Sequence, residues 1–142
     1  MIGESDLLRY SRQILLKDVG YKGQEKLLNS KVLVTGAGGL GSPAMYYLAA
    51  AGVGTLGIVD FDTVNMSNLH RQILHFTDDL GKNKVDSAEE KLKKLNPGIS
   101  IIKYQIKLNA DNIEDIVRQY DVVIDAVDNF STRYLISDCC YL

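Results

Sequence analysis

Gly36-Ala37-Gly38-Gly39-Leu40-Gly41 follows the apolar run Val32-Leu33-Val34 and precedes an alanine-rich segment. Strand, glycine turn and helix in that order suit the binding of a phosphate. One glycine permits the tight turn, one lets the backbone approach the anion, and one lets helix and strand pack closely. The helix N-terminus adds amide donors and a favourable dipole. The G-x-G-x-x-G pattern is weak by itself. Context strengthens it, because Asp60 ends the next apolar run at the spacing expected of a ribose-binding acid. Three clusters then fall where a parallel sheet presents its C-terminal edge: Asp60-Phe61-Asp62, Asn68-Leu69-His70-Arg71-Gln72, and Asp125-Ala126-Val127-Asp128-Asn129. Arg71 and Lys84 can set cations against a triphosphate. Asp128 can hold Mg²⁺ directly or through water, since magnesium favours a few carboxylate oxygens together with phosphate oxygens. This inventory suits phosphate chemistry better than hydride transfer.

Structural readings stand beside these. Asp60 can cap a loop, and Asp62 can satisfy local amides. Arg71 and Lys84 can be surface ion-pair residues, and the stem of Arg12 can cover the margin of an apolar stripe. His70 and His75 lack the spacing of a metal pair and are expected to be structural or peripheral. Lys91, Lys93 and Lys94 are balanced by Glu89 and Glu90, which suggests a solvated helix face.

The elements that must position these groups follow from periodicity and punctuation. A helix is expected from Ser5 to Leu16, with Leu7, Leu8, Ser11, Ile14 and Leu15 at helical spacing and Gly20 ending it, then a short helix from Gln24 to Leu28. Strands are expected over Lys31–Thr35, Thr55–Asp60, Ile99–Gln105 and Asp121–Asp125. Helices are expected over Leu40–Ala51, from Lys82 or Asn83 to Leu95, over Ala110–Gln119 and over Ser131–Leu142. Residues 61–81 form a polar connection longer than usual in a compact domain, and such connections are commonly functional. Alternating strands and helices imply an α/β, Rossmann-like parallel sheet with helices on both faces, preceded by an N-terminal helical segment.

The 142 residues suit one nucleotide-binding domain, with helices over 1–29 and the Rossmann-like half over 30–142. The chain stops inside an apparent helix just after its fourth strand, so a truncated C-terminus is expected. With 46% hydrophobic and 24% charged residues and a net charge of -2, the composition is that of a globular protein and offers no reason to expect nucleic-acid or membrane binding. No signal peptide or membrane-spanning run is apparent, and a cytoplasmic protein is expected. Cys139 and Cys140 are adjacent, cannot form a paired C-x-x-C zinc site, and are expected to be structural.

The sequence resembles the family of ThiF, MoeB and HesA proteins and the related ubiquitin-activating enzymes. The resemblance is carried by Arg9-Tyr10-Ser11-Arg12-Gln13, the glycine turn, Asp60-Phe61-Asp62-Thr63-Val64, Asn68-Leu69-His70-Arg71-Gln72, Gly81-Lys82-Asn83-Lys84-Val85 and Asp128-Asn129, in the family's order. It implies an adenylyltransferase that uses Mg-ATP to activate the C-terminal glycine of a ubiquitin-like sulfur-carrier protein ending in Gly-Gly. By similarity Gly36, Gly38, Gly39 and Gly41 form the nucleotide turn, Asp60 binds ribose with Asp62 nearby, and Asn68, Arg71, Gln72 and Lys84 surround the phosphates. Asp128 is similar to the magnesium-linked aspartate, with Asn129 beside it. Arg12 is similar to an arginine that reaches into a partner subunit's site, which implies a homodimer. Arg12, Arg71, Lys84 and Asp128 are thus the expected catalytic set. The family's zinc-binding cysteine pairs do not occur in this chain. The rival expectations are a non-catalytic nucleotide-binding or dimerisation fragment and an NAD-dependent oxidoreductase domain.

Overall fold

A computed structural model describes residues 2–141. Four strands, β1 (Lys31–Thr35), β2 (Thr55–Val59), β3 (Ser100–Tyr104) and β4 (Val122–Asp125), form one parallel sheet in the order β3-β2-β1-β4. The chain runs outward from β1 to β3 and then returns to the other side of β1. The strand order therefore reverses between β1 and β4, and in open α/β sheets ligands bind outside the strand C-termini at such a switch point.

Side-chain alternation in the central strands builds a core on each face. Val32 and Val34 of β1 and Leu56 and Ile58 of β2 join Met45 of α3 (Gly41–Ala51) and Val85 and Leu92 of α4 (Lys84–Leu95). Leu33 and Val59 face the other way, against Ile113 and Ile116 of α5 (Ile113–Val117) and Ile136 of α6 (Phe130–Tyr141). β1 and β2 are almost wholly buried, whereas the edge strands β3 and β4 are partly exposed.

The N-terminal segment departs from expectation. α1 (Glu4–Ile14) ends before Leu15, and Gly20, with φ +56°, opens α2 (Gly20–Asn29) instead of closing the first helix. Its amide donates to Leu16 O at 2.9 Å, so the positive φ serves the change of direction between the helices. Nor is the leucine stripe the buried face of α1. Leu8 and Leu15 are 81% and 75% exposed, and the anchor is Tyr10, at 2%. A Cβ on Gly52 would lie 2.5 Å from Tyr10 Cζ, so the ring rests where only glycine leaves room. Asn96 Nδ2 donates to both Tyr10 Oη and Ala49 O at 2.8 Å. Gln13 and the fully buried Gln24 donate to Ala51 O at 2.8 and 3.1 Å. The last carbonyls of α3 are thereby satisfied by α1, α2 and the end of α4.

α5 is shorter than expected. Asn109 Oδ1 accepts the amides of Asp111 and Asn112, a local turn that competes with helix at those positions. Leu142, at the end of the helix expected from Ser131, lies outside the described residues.

The connection over residues 61–83 is ordered by two 3₁₀ turns, Met66–Asn68 and Thr77–Asp79, and by a buried ion pair. Lys91 is not on a solvated face. It is 8% exposed and pairs with Asp79, which also accepts Phe76 N–H at 2.8 Å and Lys82 Nζ at 3.2 Å. Burial pushes the Asp79 carboxyl up, but the hydrogen bonds from Lys91, Phe76 N–H and Lys82 outweigh it and hold the group well below its ordinary value of 3.8. The folded value is depressed, so this stabilisation is complete above the ordinary value and is lost as pH falls through the folded one. Asp79→Asn leaves the buried Lys91 charge with only Glu90 Oε2, at 3.9 Å, as an ionic partner, and should cost about 3 kcal/mol in urea unfolding at neutral pH. Below pH ~3 the gap between wild type and variant should narrow; a gap independent of pH would rule the ion pair out as its source.

Candidate functional site

The C-terminal edge of the sheet opens into a cleft of about 720 Å³ at the switch point. Its floor is the turn between β1 and α3. Gly36 has φ +109°, and a Cβ there would lie 2.8 Å from Ala126 O, so this position needs glycine for conformation and for the close approach of the chain after β4. A Cβ on Gly41 would come within 1.8 Å of Gly36 O, which places the first turn of α3 directly against the loop. Ser42 donates to Gly38 O through N–H at 2.9 Å and Oγ at 2.6 Å. The Gly38 and Gly39 amides line the cleft and donate to no group among the described residues.

Asp60, just past β2, accepts Ala37 N–H on Oδ2 and Asp62 N–H on Oδ1, both at 2.8 Å. The capping role of this residue is thus real, and it leaves further lone pairs on both oxygens beside the cleft. Lys84, at the start of α4, is 5% exposed. Its Nζ lies 3.1 Å from Asp62 Oδ2, and its amide donates to Asp62 O at 3.0 Å. The pair couples the end of β2 to α4 and holds an ammonium in the cleft wall. The Lys84 side chain is buried although its Asp62 partner is half exposed, so Lys84 is not the solvated surface residue its type would suggest.

Arg71 passes over the turn. A Cβ on Gly39 would meet Arg71 Cγ at 3.4 Å, and Arg71 makes no ion pair among the described residues. Gln72 is 4% exposed and lines the cleft, with Nε2 on Asn68 Oδ1 at 3.0 Å and a buried Oε1 that has no partner. Oε1 is closed off from the cleft, so it is an internal acceptor left without a donor rather than a group presented to a ligand. Across the cleft, Asp128 is exposed and makes no hydrogen bond or ion pair among the described residues. Asn129 Oδ1 accepts Thr132 N–H and Ser131 Oγ at 2.9 Å, tying the loop to the first turn of α6.

Gly36, Gly38, Gly39, Asp60, Asp62, Arg71, Gln72, Lys84, Asp128 and Asn129 all line this one cleft. Three expected residues do not. Gly41 packs beneath it, Asn68 supports Gln72 from behind, and Arg12 lies exposed on α1. Sequence reasoning missed Phe61, Ile106, Leu108 and Arg133, which also line it. The first three form an apolar wall suited to a flat ring. Ile106 and Leu108 follow β3, and the rule that ligands meet the C-terminal ends of parallel strands was the available signal. Arg133 Nη2 donates to Val127 O at 3.2 Å, and its Nε lies 3.5 Å from Asp125 Oδ2, so it braces the loop carrying Asp128.

His75 is buried at 3% exposure, as a structural reading requires, with Nε2 2.8 Å from Ala37 O and Nδ1 2.8 Å from Ser87 Oγ. Burial lowers its pKa against the opposing bond to Ala37, so the ring is neutral at pH 7. Cys139 is half-buried with its thiol pKa raised by desolvation, and neither cysteine lines the cleft.

The chain matches the ThiF family over residues 10–142. It is 50% identical over 141 residues to the adenylyltransferase and sulfurtransferase MOCS3 of Culex quinquefasciatus, covering 99% of this chain and 32% of that protein. To the sulfur carrier protein adenylyltransferase of Thermus thermophilus it is 48% identical over 139 residues, covering 98% of this chain and 51% of that one. The chain therefore spans about a third to a half of the length of these relatives. Among solved structures, the E. coli tRNA N6-threonylcarbamoyladenosine dehydratase TcdA in complex with AMP superimposes with a TM-score of 0.93 at 27% identity, over 99% of this chain and 57% of that one. The same enzyme in complex with ATP gives 0.85 at 28% identity, over 91% of this chain and 53% of that one. A match running from Tyr10 to the chain end, on a parallel sheet that gathers the glycine turn, Lys84 and Asp128 at its switch point, shows that the chain belongs to the ThiF family.

Proposed function

We propose that this chain is the ATP-binding part of an adenylyltransferase that activates the C-terminal glycine of a ubiquitin-like sulfur-carrier protein ending in Gly-Gly. The observation that carries this reading is the convergence of two unpaired amides, Gly38 and Gly39, with Arg71, Lys84 and Asp128 in one cleft. The amides and the two cations suit a polyphosphate, the Phe61–Ile106–Leu108 wall suits the base, and Asp60 suits hydroxyl donors of the nucleoside. The relatives' names and the AMP and ATP complexes of TcdA support the same chemistry.

In the proposed reaction a carboxylate oxygen of the carrier attacks the α-phosphorus of ATP. The bond from that phosphorus to the bridging oxygen of the β-phosphate breaks, giving an acyl-adenylate and pyrophosphate. The attacking group is already ionised, so no protein base is needed. The obstacle is charge, since an anion approaches an anion and further negative charge gathers on the leaving group. Lys84, held by Asp62 before the substrate arrives, and the exposed Arg71 over the turn offset both. Magnesium, when bound, adds a divalent charge to the leaving pyrophosphate. Among the described residues no group of three or more His, Cys, Asp or Glu can hold a metal, and the free Asp128 carboxylate fits an ion that the nucleotide oxygens help to ligate.

Arg12 belongs to the proposed catalytic set although it does not line its own chain's cleft. The resemblance to the family's partner-reaching arginine is what places it, in this proposal, in the cleft of the second copy of a homodimer. The soluble, cytoplasmic setting expected from the sequence is kept as part of this proposal; among the described residues no helix is long and apolar enough to cross a membrane.

Calorimetric titration with Mg-ATP and, separately, NAD should show selective binding of Mg-ATP; preference for NAD would favour the oxidoreductase reading. Asp128→Ala should keep the fold and weaken Mg-ATP binding, while ATP affinity without magnesium changes little. In a pyrophosphate-exchange assay with a Gly-Gly-ended carrier, Lys84→Met and Arg71→Ala should each lower exchange by roughly 10²-fold. Exchange that survives both substitutions would remove these side chains from the mechanism, and a wild type that binds Mg-ATP without exchange would favour the non-catalytic module.

A further inference from the structure

The sequence offered no use for His75 beyond the core, yet the structure places it against the glycine turn itself. Ala37 O can only accept, so His75 Nε2 carries the proton at 2.8 Å. In the neutral ring Nδ1 is then the acceptor, and Ser87 Oγ–H donates to it at 2.8 Å. Lys91 Nζ in turn lies 3.4 Å from Ser87 Oγ and donates to it, so the row continues from the turn to α4. On its other side, Ala37 N–H is held by Asp60 Oδ2 at 2.8 Å.

A trans peptide is planar, and its C=O and N–H point in opposite directions. Drawing Ala37 O inward onto His75 therefore turns the next N–H, that of Gly38, outward into the cleft, where it has no partner among the described residues. Gly38 has no side chain to resist rotation of this peptide. A flip would aim a carbonyl oxygen at the anion in place of an amide.

We infer that His75 is a positioning residue for anion binding: its Nε2–H bond to Ala37 O fixes the Ala37–Gly38 peptide so that the Gly38 amide faces the phosphates. This rests on the nucleotide reading of the cleft given above. It also separates phosphate recognition from recognition of the base, because the side-chain bonds of His75 go to Ala37 and Ser87 and not to the Phe61–Ile106–Leu108 wall.

The test uses the 142-residue chain with three variants, titrated with Mg-ATP and with adenosine, which has no phosphate. His75→Leu removes the donor. His75→Gln can restore an N–H near the Nε2 position. His75→Asn reaches only the Ser87 side of the site. His75→Leu and His75→Asn should weaken Mg-ATP binding by about tenfold, the scale of one well-placed hydrogen bond, and leave adenosine binding as in wild type. His75→Gln should recover most of the Mg-ATP affinity, and the Gly38 amide ¹⁵N shift on adding Mg-ATP should persist in it and vanish in His75→Asn. Melting curves establish that each variant is folded; if His75→Leu is not, the Asn and Gln pair decides. Equal loss of adenosine and Mg-ATP would mean general collapse of the cleft and would overturn the inference, as would wild-type Mg-ATP affinity in His75→Asn. A wild-type chain that binds adenosine but not Mg-ATP would instead overturn the reading of the cleft as a polyphosphate site.

Discussion

The two peptide units that meet at Ala37 are the point on which the site turns. The Ala37 N–H is bound by Asp60 from the end of β2, and the Ala37 C=O by His75 from the long connection that follows. A glycine-rich turn has many accessible conformations, and an unrestrained one would lose much of its binding energy to ordering. Two hydrogen bonds to one residue, each from a buried or half-buried side chain, remove that freedom before a ligand arrives. The close contacts at Gly36 and Gly41 complete the restraint from the sides of β4 and α3.

Support for this turn extends well beyond it. The connection over residues 61–83 holds His75 because Asp79 pairs with Lys91 on α4, and α4 also delivers Lys84 to the cleft wall. At the far end of α3, the bonds from Gln13, Gln24 and Asn96 to its last carbonyls fix the helix whose first turn receives Gly38 O. The buried charges and amides are concentrated around α3 and α4, the helices that flank the glycine turn. On the opposite face the core is almost wholly apolar, and its polar feature, the Tyr104–Tyr120 hydroxyl pair, packs with Tyr120 over Gly57 of β2.

Much of this was legible in the sequence, and the exceptions share a cause. The strands, the α3 and α4 helices and the cleft residues from Gly36 to Asn129 followed from periodicity, turn residues and the strand-edge rule. Tyr10, Lys91 and His75 did not, because each is buried through a partner distant in the chain: Asn96, Asp79 and Ala37 respectively. Local pattern assigned Lys91 to solvent because its neighbours are charged, and assigned α1 a leucine face because leucines recur there. What decides the burial of a polar side chain is whether a matching group waits across the fold, and one-dimensional spacing does not carry that information. Ile106 and Leu108 were missed for a simpler reason, since apolar residues after a strand look like core until the sheet topology is known.

The strand order has a consequence for the timing of assembly. β1 is flanked by β2 and by β4, and the pairing of Val32 with Val122 closes most of the chain into one loop. Closing so long a loop costs entropy that only later contacts offset, so parallel pairings of this kind form slowly. The cleft needs the turn after β1, the carboxylate after β2, the connection carrying Arg71 and the loop after β4 all at once. A partly folded chain consequently has no pocket to offer, and any ligand that binds only the finished state acts as a brake on its unfolding.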